Sequence, residues 1–240
     1  MKVGLISDVH ANLAALEAVR PMLDGLDEIW VTGDTVGYGP EPSAVLALLR
    51  GDPRVHIVAG NHDRAVATGH GLDTFNGSAA AAARLHHEWL DPAERDLLAA
   101  LPATDQRSGF TLCHGSLNDP MWEYVTTVAR ARRSFLAAST PSWCCGHTHH
   151  PALYRHDEGR TFSELVAPGV AYPLGDRVMV NPGSVGQPRD GDPRSSFAVL
   201  DLDARTVTFH RVAYDIAATQ RRMRTLELPE FLADRLASGR

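Results

Sequence analysis

Aspartate, asparagine and histidine stand at the abrupt ends of short apolar runs in this 240-residue chain, and these residue types are among those that hold divalent metal ions. The runs read LISDVH, VTGDTVGYG, IVAGNHD, TLCHGS and WCCGHTHH. Asp8 and His10 are two apart, as are His147 and His149, so each pair can face one side of an extended segment. Asp34, Asn61 and His114 complete a set of seven side chains. A single zinc ion needs only four ligands, whereas two divalent ions sharing Asp34 would use the whole set.

The elements that must bring these residues together can be read from the surrounding pattern. The first sixty residues alternate strand-like and helix-like runs: KVGLIS, NLAALEAVRPML, EIWVTGD, PSAVLALLR and RVHIVAGNHD. Such alternation predicts βαβαβ units with a parallel sheet. In open α/β sheets the carboxyl ends of parallel strands line the ligand crevice, so the five polar strand ends are expected to converge. In the first helix Leu13, Leu16 and Val19, flanked by Leu23, recur at helical spacing; Asn12 is placed to cap it, and Pro21 should kink or shorten its end.

Residues 64–108 are alanine-rich and are predicted to form a helical cap insertion, with Asp91 and Pro92 as N-cap and first helical residue of its last helix. The second half reads mainly as strands, FTLCHGS, WCCGHTHH, ALYRH, RVMVNPGS, SSFAVLDLD and TVTFHRVAY, with a helix around 126–138. A final amphipathic stretch from Asp215 to Ala237 reads as one or two helices separated near Pro229. No repeat or linker divides the chain, so residues 1–240 are expected to form a single domain.

Composition excludes several classes. No apolar run approaches the roughly 18–20 residues of a membrane-spanning helix, and the N-terminal MKVGLISDVH reaches a charge too early for a signal peptide, so a cytoplasmic protein is expected. Three cysteines, Cys113, Cys144 and Cys145, imply no disulfide framework. A formal net charge of -6, with basic residues scattered apart from ARARR and QRRMR, gives no support to general nucleic-acid binding.

Taken in order, DVH, GDTVGYG, GNHD, CHGS and GHTH resemble the five signature blocks of the calcineurin-like metallophosphoesterases. SDVHANLAAL, GDTVGYGPEP and NPGSVGQPRDG are similar to extended blocks of its small bacterial and archaeal phosphodiesterase branch, which carries the resemblance to residue 190. The resemblance implies an α/β fold, a four-layer α-β-β-α sandwich of two mixed sheets. It implies one metal on Asp8, His10, Asp34 and His149, and a second on Asp34, Asn61, His114 and His147. The ions would be divalent, manganese foremost, with iron, zinc, nickel or cobalt also compatible with such ligands.

The implied activity is hydrolysis of a small soluble phosphoester, such as a nucleotide, by a metal-bridged hydroxide, with a diester favoured over a monoester. Two cations about 3.5–4 Å apart suit that chemistry, because they activate water and neutralise charge on phosphoryl oxygens. His62 matches the family histidine beside the substrate; a pKa near neutrality would let it protonate the leaving oxygen as well as contact a phosphoryl oxygen. Asp63 is expected to position the adjacent loop. Where protein Ser/Thr phosphatases of the superfamily carry an aspartate and an arginine, this chain has Gly37 and Tyr38, which argues against a protein substrate. Arg64 and Arg189 are either replacements for that arginine or ordinary surface salt-bridge residues.

Other readings remain beside these. A phosphomonoesterase or nucleotide phosphatase would use the same residues; a non-catalytic scaffold would be expected to have lost ligands, and a nuclease to carry a basic groove. The cysteines read as strand packing, and His150 as a solvent or supporting residue. His86 and His87 are expected at the surface of the helical insertion, unless the insertion caps the site and brings one of them near the substrate. Asn181, Gly183 and Ser184 either offer amides to a phosphate or merely form a turn. Oligomeric state has no sequence signal.

Overall fold

Residues 1–240 are all described by a computed structural model. The alternating runs at the N-terminus form β1 (Lys2–Ile6), α1 (Leu13–Leu23), β2 (Glu28–Val31), α2 (Pro42–Arg50) and β3 (Val55–Ile57). They are followed by α3 (Asn61–Thr68), α4 (Gly77–Trp89) and α5 (Pro92–Ala100), then by β4 (Thr104–Arg107) and β5 (Phe110–Cys113). Next come α6 (Val128–Ala137), β6 (Ser142–Cys144), β7 (Pro151–Asp157), β8 (Arg160–Glu164) and β9 (Ala171–Pro173). The chain closes with β10 (Val178–Pro182), β11 (Ser195–Asp201), β12 (Thr206–Val212), α7 (Ile216–Thr225) and α8 (Glu230–Asp234).

Two mixed six-stranded sheets result, in the orders β3-β2-β1-β11-β12-β9 and β4-β5-β6-β10-β7-β8. In the first, β1, β2 and β3 run parallel and β11 pairs antiparallel to β1. In the second, β5, β6 and β10 run parallel. The period of two along each strand sorts side chains between layers. Val3, Leu5 and Trp30 of the first sheet share an inter-sheet core with Leu112, Cys144, Val178 and Val180 of the second. Ile29 and Val31, one position out of step, pack instead with Leu16, Val19 and Leu23 of α1 and Val45 and Leu49 of α2. Trp143 and Cys145 flank Cys144 and pack with Ala131 and Phe135 of α6. The architecture is therefore the four-layer α-β-β-α sandwich. All three cysteines are buried free thiols within these layers.

Asn12 caps α1 by accepting from the Ala15 amide at 3.2 Å, and Pro21 stands inside the helix close to its end at Leu23. Asp91 and Glu94 form a reciprocal capping box at α5, with bonds of 2.8 and 2.9 Å. The span 64–108 departs from a wholly helical insertion at both ends. Helix α3 already begins at Asn61, and β4 extends the second sheet as an edge strand beside β5. Between them α4 buries Ala79, Ala82 and Ala83, small side chains that allow close packing. Met223, Leu228 and Leu232 of the C-terminal segment cover Ala79 and Ala82, and Val66, Leu90 and Leu98 surround Ala83. No helix is long and apolar enough to cross a membrane.

Candidate metal centre

The ends of β1, β2, β3, β5 and β6 meet at one edge of the sandwich, where the two sheets abut. Asp8, His10, Asp34 and Asn61 arrive from the first sheet, His114, His147 and His149 from the second, and all seven are buried. The alternation expected of an extended segment is not how they get there. Strand β1 stops at Ile6 and β6 at Cys144, and Asp8, His10, Asp34, His147 and His149 all take left-handed backbone conformations, with φ of 52, 49, 54, 67 and 58°. Such residues cost on the order of 1 kcal/mol or more each and persist only where neighbours over-determine them. Here the neighbours are backbone: the Asp8 amide donates to Gly33 O and the His10 amide to Asp34 O, both at 3.0 Å. Glycine is required where the loops touch, since a Cβ on Gly60 would lie 2.0 Å from Asp34 Oδ1.

The ring orientations are set by backbone carbonyls. His10 Nδ1 donates to Val36 O at 3.0 Å, His114 Nδ1 to Thr32 O at 2.8 Å and His149 Nδ1 to Gln187 O at 2.6 Å. His147 uses its other nitrogen, Nε2 donating to Trp122 O at 3.2 Å. Each imidazole therefore turns its remaining nitrogen toward the cluster, which is the arrangement that supporting carbonyls impose on metal-ligating histidines.

His10 Nε2 and His149 Nε2 stand 3.2 Å apart, and Asp8 Oδ1 lies 3.2 Å from the latter and 3.8 Å from the former. Burial drives the pKa of both imidazoles down, so neither carries a second proton at neutral pH, and Asp8 Oδ1 has no hydrogen-bond partner. Three electron-pair donors thus face one another with no proton between them, an arrangement that a cation relieves. Asp34 lies at the junction with the second group, its Oδ2 3.6 Å from His10 Nε2 and 3.2 Å from His114 Nε2. His114 Nε2 is also 2.9 Å from His147 Nδ1 and 3.1 Å from Asn61 Oδ1. Burial alone would lower His114, but Asp34 and Asp8 outweigh it and raise its pKa to about 9, so a proton stands there in the metal-free protein. The donor sets Asp8–His10–His149 and Asp34–His114–His147 each fit a divalent ion.

A third grouping, His10–Asp34–His62, brings His62 into the same space. Its amide donates to Asp34 Oδ1 at 2.9 Å, and its ring stacks on Phe75 with centroids 4.5 Å apart. The expectation of a pKa near neutrality does not survive: burial lowers His62 to about 4, with Asp34 opposing and Arg189 adding to the shift. Its imidazole is neutral in the working range. Asp63 ties the loop after Asp34, accepting from Thr35 N at 2.8 Å, Thr35 Oγ1 at 2.6 Å and Val36 N at 3.1 Å.

The two arginines divide. Arg64 donates to the carbonyls of Ala99 and Leu101 at 2.7 and 3.2 Å, so it fastens the end of α5 and forms no ion pair. Arg189 lies over the Tyr38 ring at 5.5 Å and bonds Gln187 Oε1 at 3.0 Å, while its buried Nε has no partner. Asn181, Gly183 and Ser184 form a structural turn: Asn181 Nδ2 donates to Gly146 O at 2.6 Å, and Ser184 Oγ donates to Asp8 O at 2.7 Å. His150 is exposed.

His86 was expected at the surface and is instead fully buried. Its Nδ1 accepts from the Gly37 amide at 3.0 Å and its Nε2 donates to Gly39 O at 2.8 Å, so one neutral imidazole spans the loop that carries Tyr38. The Tyr38 ring lies 4.4 Å from both His10 and His62. A sequence signal for this existed: Ala79, Ala82, Ala83 and His86 are spaced as one helical face. His87, the next residue, is only partly buried and bonds Val66 O at 2.7 Å.

A family model described as the calcineurin-like phosphoesterase superfamily domain matches residues 1–205. The crystal structure of a metallophosphoesterase from Sphaerobacter thermophilus is 43% identical with a TM-score of 0.91, covering 100% of this chain and 99% of that one. An uncharacterized protein of Methanocaldococcus jannaschii is 32% identical over 99% of this chain and 98% of its own length. A symmetrical bis(5'-nucleosyl)-tetraphosphatase of Nitrosococcus oceani is 32% identical over 49% of this chain and 43% of its own.

Proposed function

Since this chain belongs to the calcineurin-like phosphoesterase superfamily and is thereby a phosphoester hydrolase, we propose that it is a dinuclear metal-dependent phosphodiesterase acting on small phosphoesters of the nucleotide class. The observation that carries the metal assignment is the unprotonated meeting of His10 Nε2, His149 Nε2 and Asp8 Oδ1 in a buried space. One ion would be held by Asp8, His10, Asp34 and His149, the other by Asp34, Asn61, His114 and His147. Manganese is the first choice, and iron, zinc, nickel or cobalt would suit the same mixture of carboxylate, imidazole and amide donors. Bound there, such ions supply a water of lowered pKa and neutralise charge on the phosphoryl group.

The chain's own residues account for the rest. His62, neutral and pinned against Phe75, serves as a hydrogen-bond donor to a phosphoryl oxygen rather than as a proton-loaded acid. Arg189, free of any carboxylate partner and beside His149, offers its charge to the same group. The tetraphosphatase relative supports a nucleotide-like substrate, and the preference for a diester rests on the phosphodiesterase-like sequence blocks. The test is metal analysis of purified protein followed by hydrolysis of bis-p-nitrophenyl phosphate and p-nitrophenyl phosphate with added manganese. Metal-dependent turnover, faster on the diester, is expected. Faster turnover of the monoester would favour a phosphomonoesterase on the same centre, and turnover of neither would sink the enzymatic reading.

A further inference from the structure

A groove of about 370 Å3 opens beside the histidine-rich segment and has no part in the chemistry above. Its wall includes Tyr124, Thr126, Thr148, His150 and Tyr154. Thr148 lies between His147 and His149, so the groove begins one residue from both halves of the candidate metal centre. Tyr124 is the shared wall. One face of its ring stacks on His147, with centroids 3.7 Å apart and planes at 20°, yet the residue remains 43% exposed. Trp122, 39% exposed, continues the aromatic rim to Phe75 at 5.7 Å, and Phe75 in turn stacks on His62.

Three features narrow what such a groove would take. Its volume is that of a small-ligand pocket. Its lining mixes aromatic faces with hydroxyl and imidazole groups, which suits a flat heteroaromatic ring carrying polar edges better than an aliphatic chain. It contains no carboxylate, although the chain as a whole is acidic, so a ligand bearing phosphate is not repelled. We propose that this groove is the nucleobase subsite: the base of a nucleoside phosphoester stacks on the open face of Tyr124 while its phosphate reaches the metal centre past Thr148. Stacking of this kind tolerates any base, because every base offers a π-face.

The inference rests on the phosphodiesterase reading, and the two are separated by a pair of esters with one leaving group. Thymidine 5'-monophosphate p-nitrophenyl ester carries the base; methyl p-nitrophenyl phosphate does not. The ratio of their kcat/KM values should be about 5- to 150-fold in favour of the nucleoside ester, the range that one stacked base supplies. Tyr124→Leu should bring the ratio toward one, and Tyr124→Phe should keep it. Because Tyr124 touches His147, absolute rates will shift in these variants, but the ratio measures both esters on the same centre. A ratio near one in the unmodified protein, or a ratio unchanged in Tyr124→Leu, would overturn the subsite while leaving the phosphodiesterase reading intact. Absence of turnover with either ester would overturn both. Should Tyr124→Leu fail to fold, Tyr124→Gln takes its place at this exposed position: the ratio should again fall toward one, and an unchanged ratio would overturn the subsite.

Discussion

Replacing His86 by alanine tests how the helical insertion governs the catalytic edge. The imidazole satisfies the Gly37 amide and the Gly39 carbonyl in a place closed to solvent. A buried polar group left without a partner costs about 1–3 kcal/mol, so losing both bonds costs about 2–6 kcal/mol before any cavity is counted. Water entering the vacated space would recover part, giving an expected loss of about 3–5 kcal/mol, or about 6–20 °C in Tm for a chain of this size. His86→Gln presents an acceptor and a donor on one planar amide and should restore more than half. His87→Ala, which removes one bond made by a partly exposed side chain, so that water can take its place at the Val66 carbonyl, should cost only about 1 kcal/mol.

The pH dependence adds a second signature. Burial lowers His86 to about 4. Its native pKa therefore lies below the unfolded value near 6.5, and its neutral form contributes stability that is lost as pH falls from about 6.5 to about 4. The gap between the unmodified protein and His86→Ala should accordingly narrow by up to about 3 kcal/mol across that window. Urea unfolding at several pH values measures both effects, and turnover should fall in His86→Ala because Tyr38 is no longer held against His10 and His62. A loss below about 1 kcal/mol at pH 7, or a gap independent of pH, would refute the reasoning.

Two further outcomes follow from the centre itself. At pH 7 metal loading should expel about one proton, from His114, and apparent affinity should rise about tenfold per pH unit up to about pH 9; calorimetry in buffers of differing ionisation heat measures the release, and none would contradict the His114 assignment. The same raised pKa means that His114 stabilises the metal-free fold below about pH 6.5 and loses that contribution as pH rises through about 9, a decline that metal-loaded protein should not show. His62→Ala should keep its metal content and lose about 10²-fold or more in turnover, as expected for one donor to a phosphoryl oxygen; unchanged turnover would remove that role.

The strand ends were legible because an apolar run that stops at Gly-Asp or Gly-Asn-His announces both a strand and a crevice, and five such ends in order leave few folds to consider. What the string concealed depends on contacts between distant segments. The left-handed turns at Asp8, His10, His147 and His149 are held by bonds between one loop and another, so spacing alone suggested an extended strand that is not there. The depressed pKa of His62 arises from its burial among distant segments, Phe75 stacked on its ring, with Arg189 adding to the shift and Asp34 opposing it. His86 lay on a readable helical face, but alanines give that face too little hydropathy to mark it as core. Trp122 and Tyr124 sit in a segment without regular secondary structure, where no period marks a buried or working side.

The placement of the cluster at the junction of the two sheets bears on how the molecule acquires its metal. His147 N–H donates to the Asp8 carboxylate, His114 Nδ1 to Thr32 O, and the Val185 and Gly186 amides to Ser7 and Asp8 carbonyls, so strand ends from both sheets are laced together at this one edge. Neither sheet alone holds a full ligand set. A cation can be captured only after the two halves have docked, and once captured it closes the seam as a latch: it would slow the separation of the sheets far more than it would hasten their meeting.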